Sequence, residues 1–306
     1  MKTIVMTGGT TGIGFAAAQQ IGRDQDIQIL LGARSQVPGT IQALPLDLAR
    51  LASVRSFATA VEDRLGRASI NGLVLNAGMQ FGDVNQRTED GFETTFAVNH
   101  LAHYLLLRLL MPRLAPGAIV VMTTSNLHDP KTTPLAPPEH ADAWKLARGE
   151  TELGTSKGLM SGPRAYAASK LCNLLTVRAL TSTTFAQKQK LRVIAFNPGF
   201  TPGTQLTRHQ SVAFKLPFAV LVPILNLFQR MNTVAGGGAA LADLALGQIA
   251  PPAERIYASQ VKRELTWPNP SELASDDAVA AKLWSDSAAL VGLPKVQSAL
   301  FEDVNI

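Results

Sequence analysis

Six short runs, residues 3–6, 27–31, 41–46, 72–75, 118–123 and 191–196, are apolar and rich in Ile, Val and Leu, and stretches of helical spacing at 12–23, 51–65, 91–114 and 166–185 lie between them. Runs without polar alternation suit strands covered on both faces. Strand alternating with helix from the first residues onward predicts an α/β fold, a doubly wound parallel sheet in one domain spanning 1–306. Composition agrees, since 46% hydrophobic and 17% charged residues in a chain of 306 exclude a disordered polymer. The single cysteine, Cys172, excludes both a disulfide-stapled scaffold and a cysteine-rich zinc site. A reducing, cytoplasmic setting is expected. The formal charge is +5, from 28 Lys and Arg against 23 Asp and Glu, but the basic residues are scattered and form no nucleic-acid-binding block.

Two segments break the rhythm. Residues 126–164 are rich in Pro, Gly, Thr and charge and lack a period, which predicts an insertion forming an active-site loop. Residues 200–232 are apolar and interrupted by Pro217, Pro223 and Asn226, which fits a substrate lid rather than core. The apolar stretch 214–228 falls short of the ~18 to 20 residues of a membrane span. No transmembrane helix is expected, although peripheral contact with a membrane surface needs far less. Residues 258–306 form a C-terminal extension with a helix at 276–290. The chain reaches its first glycine loop by residue 8, leaving no apolar stretch for a signal peptide ahead of it.

The first run leads into Thr7-Gly8-Gly9-Thr10-Thr11-Gly12-Ile13-Gly14, where a helix begins. Glycines at this spacing let the backbone turn tightly, approach a pyrophosphate and present amide N–H groups at the positive end of the helix. A strand before it and a helix after it make this a dinucleotide site rather than a simple turn. At the end of the second run stands Gly32-Ala33-Arg34-Ser35, with no carboxylate for a ribose hydroxyl. Arg34 can pair with the extra phosphate of NADP, and Ser35 can add a donor. Tyr166 and Lys170 are four apart and project from one helix face. An ammonium there, joined by a cofactor's positive charge, is expected to lower the phenol from near 10 by ~3 units, so that Tyr166 exchanges a proton with a carbonyl or alcohol.

These motifs, with Asp47-Leu48, Leu75-Asn76-Ala77-Gly78, Asn99, Ser125 and Asn197-Pro198-Gly199 in the same order, make the chain resemble the short-chain dehydrogenase/reductase family over essentially its whole length. The resemblance implies a Rossmann-type sheet and a catalytic quartet. In it, Ser125 bonds the substrate oxygen, Tyr166 transfers the proton, Lys170 holds the nicotinamide ribose and lowers the tyrosine pKa, and Asn99 supports a water relay. It also implies NADP(H) neighbours: Gly8, Thr10, Thr11, Gly12, Ile13, Gly14, Arg34, Ser35, Asp47, Leu48, Asn76, Ala77, Gly78, Tyr166, Lys170, Pro198, Gly199 and Thr201. Where many members carry a serine pair this chain has Thr124-Ser125, and Thr124 is the fallback hydroxyl. Ser169-Lys170-Leu171-Cys172-Asn173 and Lys282-Leu283-Trp284-Ser285 are similar to the branch holding protochlorophyllide reductases and retinol-type dehydrogenases. Cys172 matches an active-site cysteine of the pigment enzyme in position only, and the bland reading is a small core residue.

The expected activity is NADPH-dependent hydride transfer to or from a carbonyl or alcohol, without a metal. Phe214, Phe218, Leu221 and Leu225 make the lid apolar and the substrate hydrophobic. Light-dependent protochlorophyllide reduction is the alternative, and a non-catalytic NADP-binding sensor a remote one. A hydrolase built on Gly154-Thr155-Ser156-Lys157-Gly158 with His128 and Asp129 lacks the strand that a nucleophile elbow requires.

Overall fold

The structure is a computed structural model, and it describes residues 1–35, 41–133, 136–150, 160–202 and 231–293. The apolar runs become β1 (Lys2–Thr7), β2 (Ile27–Ala33), β3 (Gln42–Pro45), β4 (Ile70–Leu75), β5 (Leu114–Thr123) and β6 (Arg192–Asn197). Two further strands, β7 (Tyr257–Val261) and β8 (Glu264–Thr266), complete a sheet of order β3-β2-β1-β4-β5-β6-β7-β8. All pairs are parallel except the last, where β8 returns along β7. The strands read as continuous apolar runs because both faces are covered. In β1, Ile4 and Met6 enter one core layer and Val5 the other.

The layer on the Ile4 side is closed by α1 (Gly12–Ile21) and α8 (Val234–Leu246). On the Val5 side lie α2 (Leu51–Leu65), α4 (Ala102–Leu110), α6 (Ser161–Thr181) and α9 (Asp277–Leu290). The sequence did not predict α8, because Val-Ala-Gly-Gly-Gly-Ala-Ala is a weak helix former. Its glycines serve packing: a Cβ on Gly238 would lie 2.4 Å from Ala16 Cβ and 3.0 Å from the Ala17 nitrogen of α1.

Three expected boundaries move. The helix expected over 91–114 starts as α3 (Thr94–Phe96), passes through a π turn (Ala97–Leu101) and continues as α4. Its start is set by buried Glu93, whose carboxylate accepts from Thr95 N at 2.9 Å and Phe96 N at 2.7 Å. The segment 126–164 contains α5 (Ala143–Arg148), capped by Asp142, and its last residues belong to α6, which starts at Ser161. The helix expected over 166–185 ends at Thr181 and is followed by α7 (Thr184–Lys188), capped by Thr183.

The C-terminal extension joins the main core. Tyr104 Oη donates to Trp284 O at 2.8 Å, the two rings meet edge to face at 5.0 Å, and the Arg108 guanidinium lies over both. Residues 203–230, most of the expected lid, lie outside the described residues, as does the elbow-like 154–158. No helix among the described residues is long and apolar enough to cross a membrane.

Strand order reverses between β1 and β4, so the loops leaving their C-terminal ends part to opposite sides and open a crevice there. The residues singled out at 7–14, 76–78 and 123–125 all sit at this edge of the sheet.

Candidate active site

The floor of the crevice is a set of side chains that tie three strand ends together. Thr7 Oγ1, at the end of β1, accepts from Asn76 N at 3.1 Å and Ala77 N at 3.2 Å. Its own hydrogen then goes to His103 Nε2, 2.9 Å away on α4. Asn76 Nδ2 donates to Gly8 O at 3.0 Å, and Thr123 Oγ1, at the end of β5, donates to Asn76 Oδ1 at 3.0 Å. The glycine loop is pressed onto this floor: a Cβ on Gly14 would lie 2.0 Å from Gly8 O, and Gly8 itself has φ +68. Thr11 caps α1 with its backbone only, and the first turn carries no acidic residue. The amides that open α1 are therefore left to an external anion. Ile13 turns its side chain into the core, so only its backbone faces the crevice.

Tyr166, Lys170 and Asn173 descend one face of α6 toward the end of β5. Tyr166 is 5% exposed and hydrogen-bonds the Ser125 side chain. Lys170, 2% exposed, donates from Nζ to Thr123 O at 3.1 Å, with Nζ 5.6 Å from the Tyr166 ring centre. Thr124 Oγ1 points the other way and donates to Lys170 O at 2.7 Å, so Ser125 is the hydroxyl brought to Tyr166. Burial pushes the Tyr166 phenol above its ordinary value, while the Ser125 hydrogen bond pulls it down. Desolvation also lowers Lys170 to about 8. The expected lowering of the phenol by its neighbour is thus overturned in the chain alone: burial disfavours the phenolate by more than the surrounding groups favour it.

Asn99 is held from all sides in the π turn. Its Oδ1 accepts from Met79 N at 2.8 Å, and its Nδ2 donates to Met79 O at 2.9 Å and Ser169 Oγ at 3.0 Å. His103 Nδ1 bonds the Asn99 carbonyl at 3.0 Å, and desolvation holds His103 at about 4. Asn99 therefore clamps the segment after Gly78 over Lys170: a Cβ on Gly78 would lie 3.3 Å from Lys170 Nζ.

Arg34 and Ser35 stand exposed just past β2. Asp47 and Leu48 are half-buried past β3, where Asp47 N donates to Ser53 Oγ and Asp47 Oδ1 accepts from Ala49 N. Past β6, Gly199 takes φ +66, and Thr201 Oγ1 donates to Pro198 O at 3.2 Å. Asn232, which the sequence did not suggest, pins this turn by donating to Pro198 O at 2.9 Å and Gln260 O at 2.8 Å. His128 is no hydrolase base. Its Nδ1 donates to Ser125 O at 2.7 Å and its Nε2 accepts from Ser271 N at 3.3 Å, so both ring nitrogens are engaged by backbone. Cys172 is buried in the core, where desolvation raises its thiol. Asn173, His100 and His103 also went unpredicted, although Asn173 continues the Tyr166 and Lys170 spacing along the same helix face.

A dinucleotide fits these residues. The cradle has no room for side chains at Gly8 and Gly14, the α1 amides lack a side-chain cap, and a basic residue without an adjacent acid ends β2. Comparison with known proteins agrees. A family model described as short chain dehydrogenase matches residues 2–132. Human retinol dehydrogenase 13 is 30% identical over 313 residues, covering 95% of this chain and 85% of that protein. The chloroplastic protochlorophyllide reductase A of Oryza sativa subsp. japonica is 29% identical over 321 residues, covering 95% and 80%. A solved structure of a Mycobacterium paratuberculosis protein has the same fold, with TM-score 0.67 at 24% identity over 96% of this chain and 94% of that one. Among other structures of this fold, one holds NADPH and another NADH.

Proposed function

We propose, from the premise that this chain belongs to the short-chain dehydrogenase/reductase family and is an oxidoreductase, that it moves hydride between NADP(H) and the carbonyl or alcohol of a hydrophobic substrate. The observation that carries the reading is the meeting of Ser125, Tyr166 and Lys170 in a dry pocket beside a glycine loop that accepts a pyrophosphate.

The loop from Gly8 through Thr10, Thr11, Gly12 and Ile13 to Gly14 holds the phosphates on backbone amides. Arg34 and Ser35 take the ribose phosphate that distinguishes NADP from NAD. Asp47 and Leu48 border the adenine, while Asn76, Ala77, Gly78, Pro198, Gly199 and Thr201 line the remainder. Bound NADPH supplies the hydride.

The chain's own work is the proton. Ser125 donates a hydrogen bond to the substrate oxygen and so holds it against Tyr166. Tyr166 gives its phenolic proton to that oxygen as negative charge develops there. Lys170, whose ammonium lies 5.6 Å from the ring, offsets the charge left on the phenolate and holds the nicotinamide ribose. Asn99 keeps the segment 77–79 fixed above the lysine and supports the water relay that returns the proton. The reverse sequence oxidises an alcohol.

A hydrophobic substrate is supported by the apolar composition of 200–232, read as the lid, and by Phe200, 51% exposed at its start. In this reading 126–164 is the active-site loop and 258–306 the C-terminal extension. A cytoplasmic setting with peripheral membrane contact through the lid completes the reading.

The test is Tyr166→Phe. The variant is expected to fold and bind NADPH as the wild type does, while ketone or aldehyde reduction falls by at least ~100-fold, the scale of a lost general acid. Near-normal turnover would move the chemistry to another group.

A further inference from the structure

We propose that Asn173 is a positioning residue for Lys170, and that His100, with Ser287 on α9 behind it, holds Asn173 in place. The proposal rests on the reading of Lys170 given above. Thr123 O is the hub. It accepts from Lys170 Nζ and from Asn173 Nδ2, each at 3.1 Å. A carbonyl oxygen has two lone pairs. Asn173 engages one and leaves Lys170 the other, which fixes the side from which the ammonium approaches.

The amide of Asn173 cannot turn over without losing that bond, so its Oδ1 points away from the hub. The Asn173 side chain faces His100 there. Asn173 Oδ1 and His100 Nδ1 are both buried, and neither has a hydrogen-bond partner among the distances of the structure. Each supplies what the other lacks once His100 carries its hydrogen on Nδ1. His100 Nε2 is then an acceptor, and Ser287 Oγ stands 2.9 Å from it. Asn173, His100 and Ser287 are all fully buried. Apolar side chains in this space would avoid the desolvation that three polar groups incur. The row instead leads from the lysine to a helix of the C-terminal extension.

The ionisable groups facing this row are Tyr166 and Cys172 on α6, His100 in the π turn and His103 on α4. Burial holds all four neutral at working pH. Lys170, at about 8, is therefore the member of this cluster that carries charge near neutral pH. If Asn173 and Ser287 act by placing that ammonium, loosening them must weaken what the ammonium holds, the nicotinamide ribose of the reading above.

The experiment is calorimetric titration of the full chain with NADP⁺ as the probe, in the wild type, in Asn173→Leu and Ser287→Ala, and in each of these combined with Lys170→Met. Asn173→Leu is expected to weaken NADP⁺ about threefold, and Ser287→Ala, one hydroxyl removed, less and in the same direction; both effects should vanish where Lys170 is already Met. A purely structural role would lower the melting temperature and change the affinity equally with and without Lys170, or not at all. If Lys170→Met alone leaves NADP⁺ affinity unchanged, the reading of Lys170 is wrong, and this proposal falls with it. If it weakens binding while Asn173→Leu and Ser287→Ala do not, only the positioning role is overturned. Should Asn173→Leu fail to fold, Ser287→Ala decides.

Discussion

Alanine at position 14 tests whether the glycine loop is built for a ligand or merely for a turn. The added Cβ would lie 2.0 Å from Gly8 O, 2.5 Å from Asn76 Nδ2 and 2.9 Å from the Gly8 carbonyl carbon. That is roughly 1 to 1.5 Å short of van der Waals contact. Gly8 has nowhere to retreat, because its own Cβ position lies 2.6 Å from the backbone of Ala77. Overpacking of this kind costs about 1 to 3 kcal/mol, and losing the Asn76 Nδ2 to Gly8 O bond adds about 1. Over 306 residues, an unfolding entropy of about 2.1 cal/mol/K per residue makes a loss of about 3 kcal/mol a Tm decrease of about 5 °C. Binding should suffer more visibly. Displacing two amides that each give a charge-assisted bond of about 1.5 kcal/mol weakens NADPH on the order of 100-fold. Gly66→Ala is the control: nothing lies within 4 Å of it, so its backbone strain, at φ +53 and ψ −111, should cost about 1 to 3 kcal/mol of stability and leave the Kd unchanged. Calorimetric titration with NADPH and thermal unfolding of both variants give the comparison. A Gly14→Ala protein that binds NADPH within threefold of wild type would refute the reasoning.

Three further outcomes follow from the site. NADPH should bind more tightly than NADH by about 2 kcal/mol, and Arg34→Ala should remove most of that preference; equal wild-type dissociation constants would count against Arg34. Stability should climb with pH between about 8 and 9, because Lys170 is lowered to about 8 against 10.5 in the unfolded chain, so the folded state binds fewer protons across this window. The lysine's full span amounts to at most ~3 kcal/mol, opposed from about pH 9 by the raised Cys172 thiol and above pH 10 by the raised Tyr166 phenol, and urea midpoints of Lys170→Met should lose the climb. Finally, NADPH oxidation with a ketone or aldehyde should proceed in darkness, with no light-triggered conversion of protochlorophyllide. Spectra showing reduced pigment only after illumination, and only with active enzyme, would reverse that ranking.

The strands were legible because burial on both faces leaves an unbroken apolar run, which local reading detects. Helix α8 was not, since the reason for its glycines is Ala16 on α1, more than 200 residues away in the chain. The site divides along the same line. Tyr166 and Lys170 announce themselves through a four-residue spacing, and Arg34 through the missing acid beside it. The choice between Thr124 and Ser125 turns on where one hydroxyl points, and Thr124 Oγ1 proves to be engaged by Lys170 O. His103 belongs to the crevice only because Thr7, far away in sequence, ends a strand beneath it. The phenol's upward direction in the chain alone was not legible for a related reason: helical spacing shows the ammonium but not the depth at which both groups are buried.

That depth bears on how the proposed proton transfer is controlled. In water a phenol and an ammonium have nearly equal pKa values. Burial moves the two in opposite directions, Tyr166 up and Lys170 down to about 8. Each shift favours the neutral form, so the chain by itself keeps the proton on Tyr166 across the neutral range. Ser125, by hydrogen-bonding Tyr166, works against burial, yet desolvation remains the larger effect. Lys170 has its ammonium anchored on Thr123 O, 5.6 Å from the ring centre, where it can answer a phenolate without creating one. A proton held this firmly leaves only when negative charge grows on an oxygen close enough to receive it. Ser125 fixes where that oxygen must be. Reduction is then restricted to carbonyls that reach the space between Ser125 and Tyr166, which makes the pocket's dryness a source of selectivity as well as of cost.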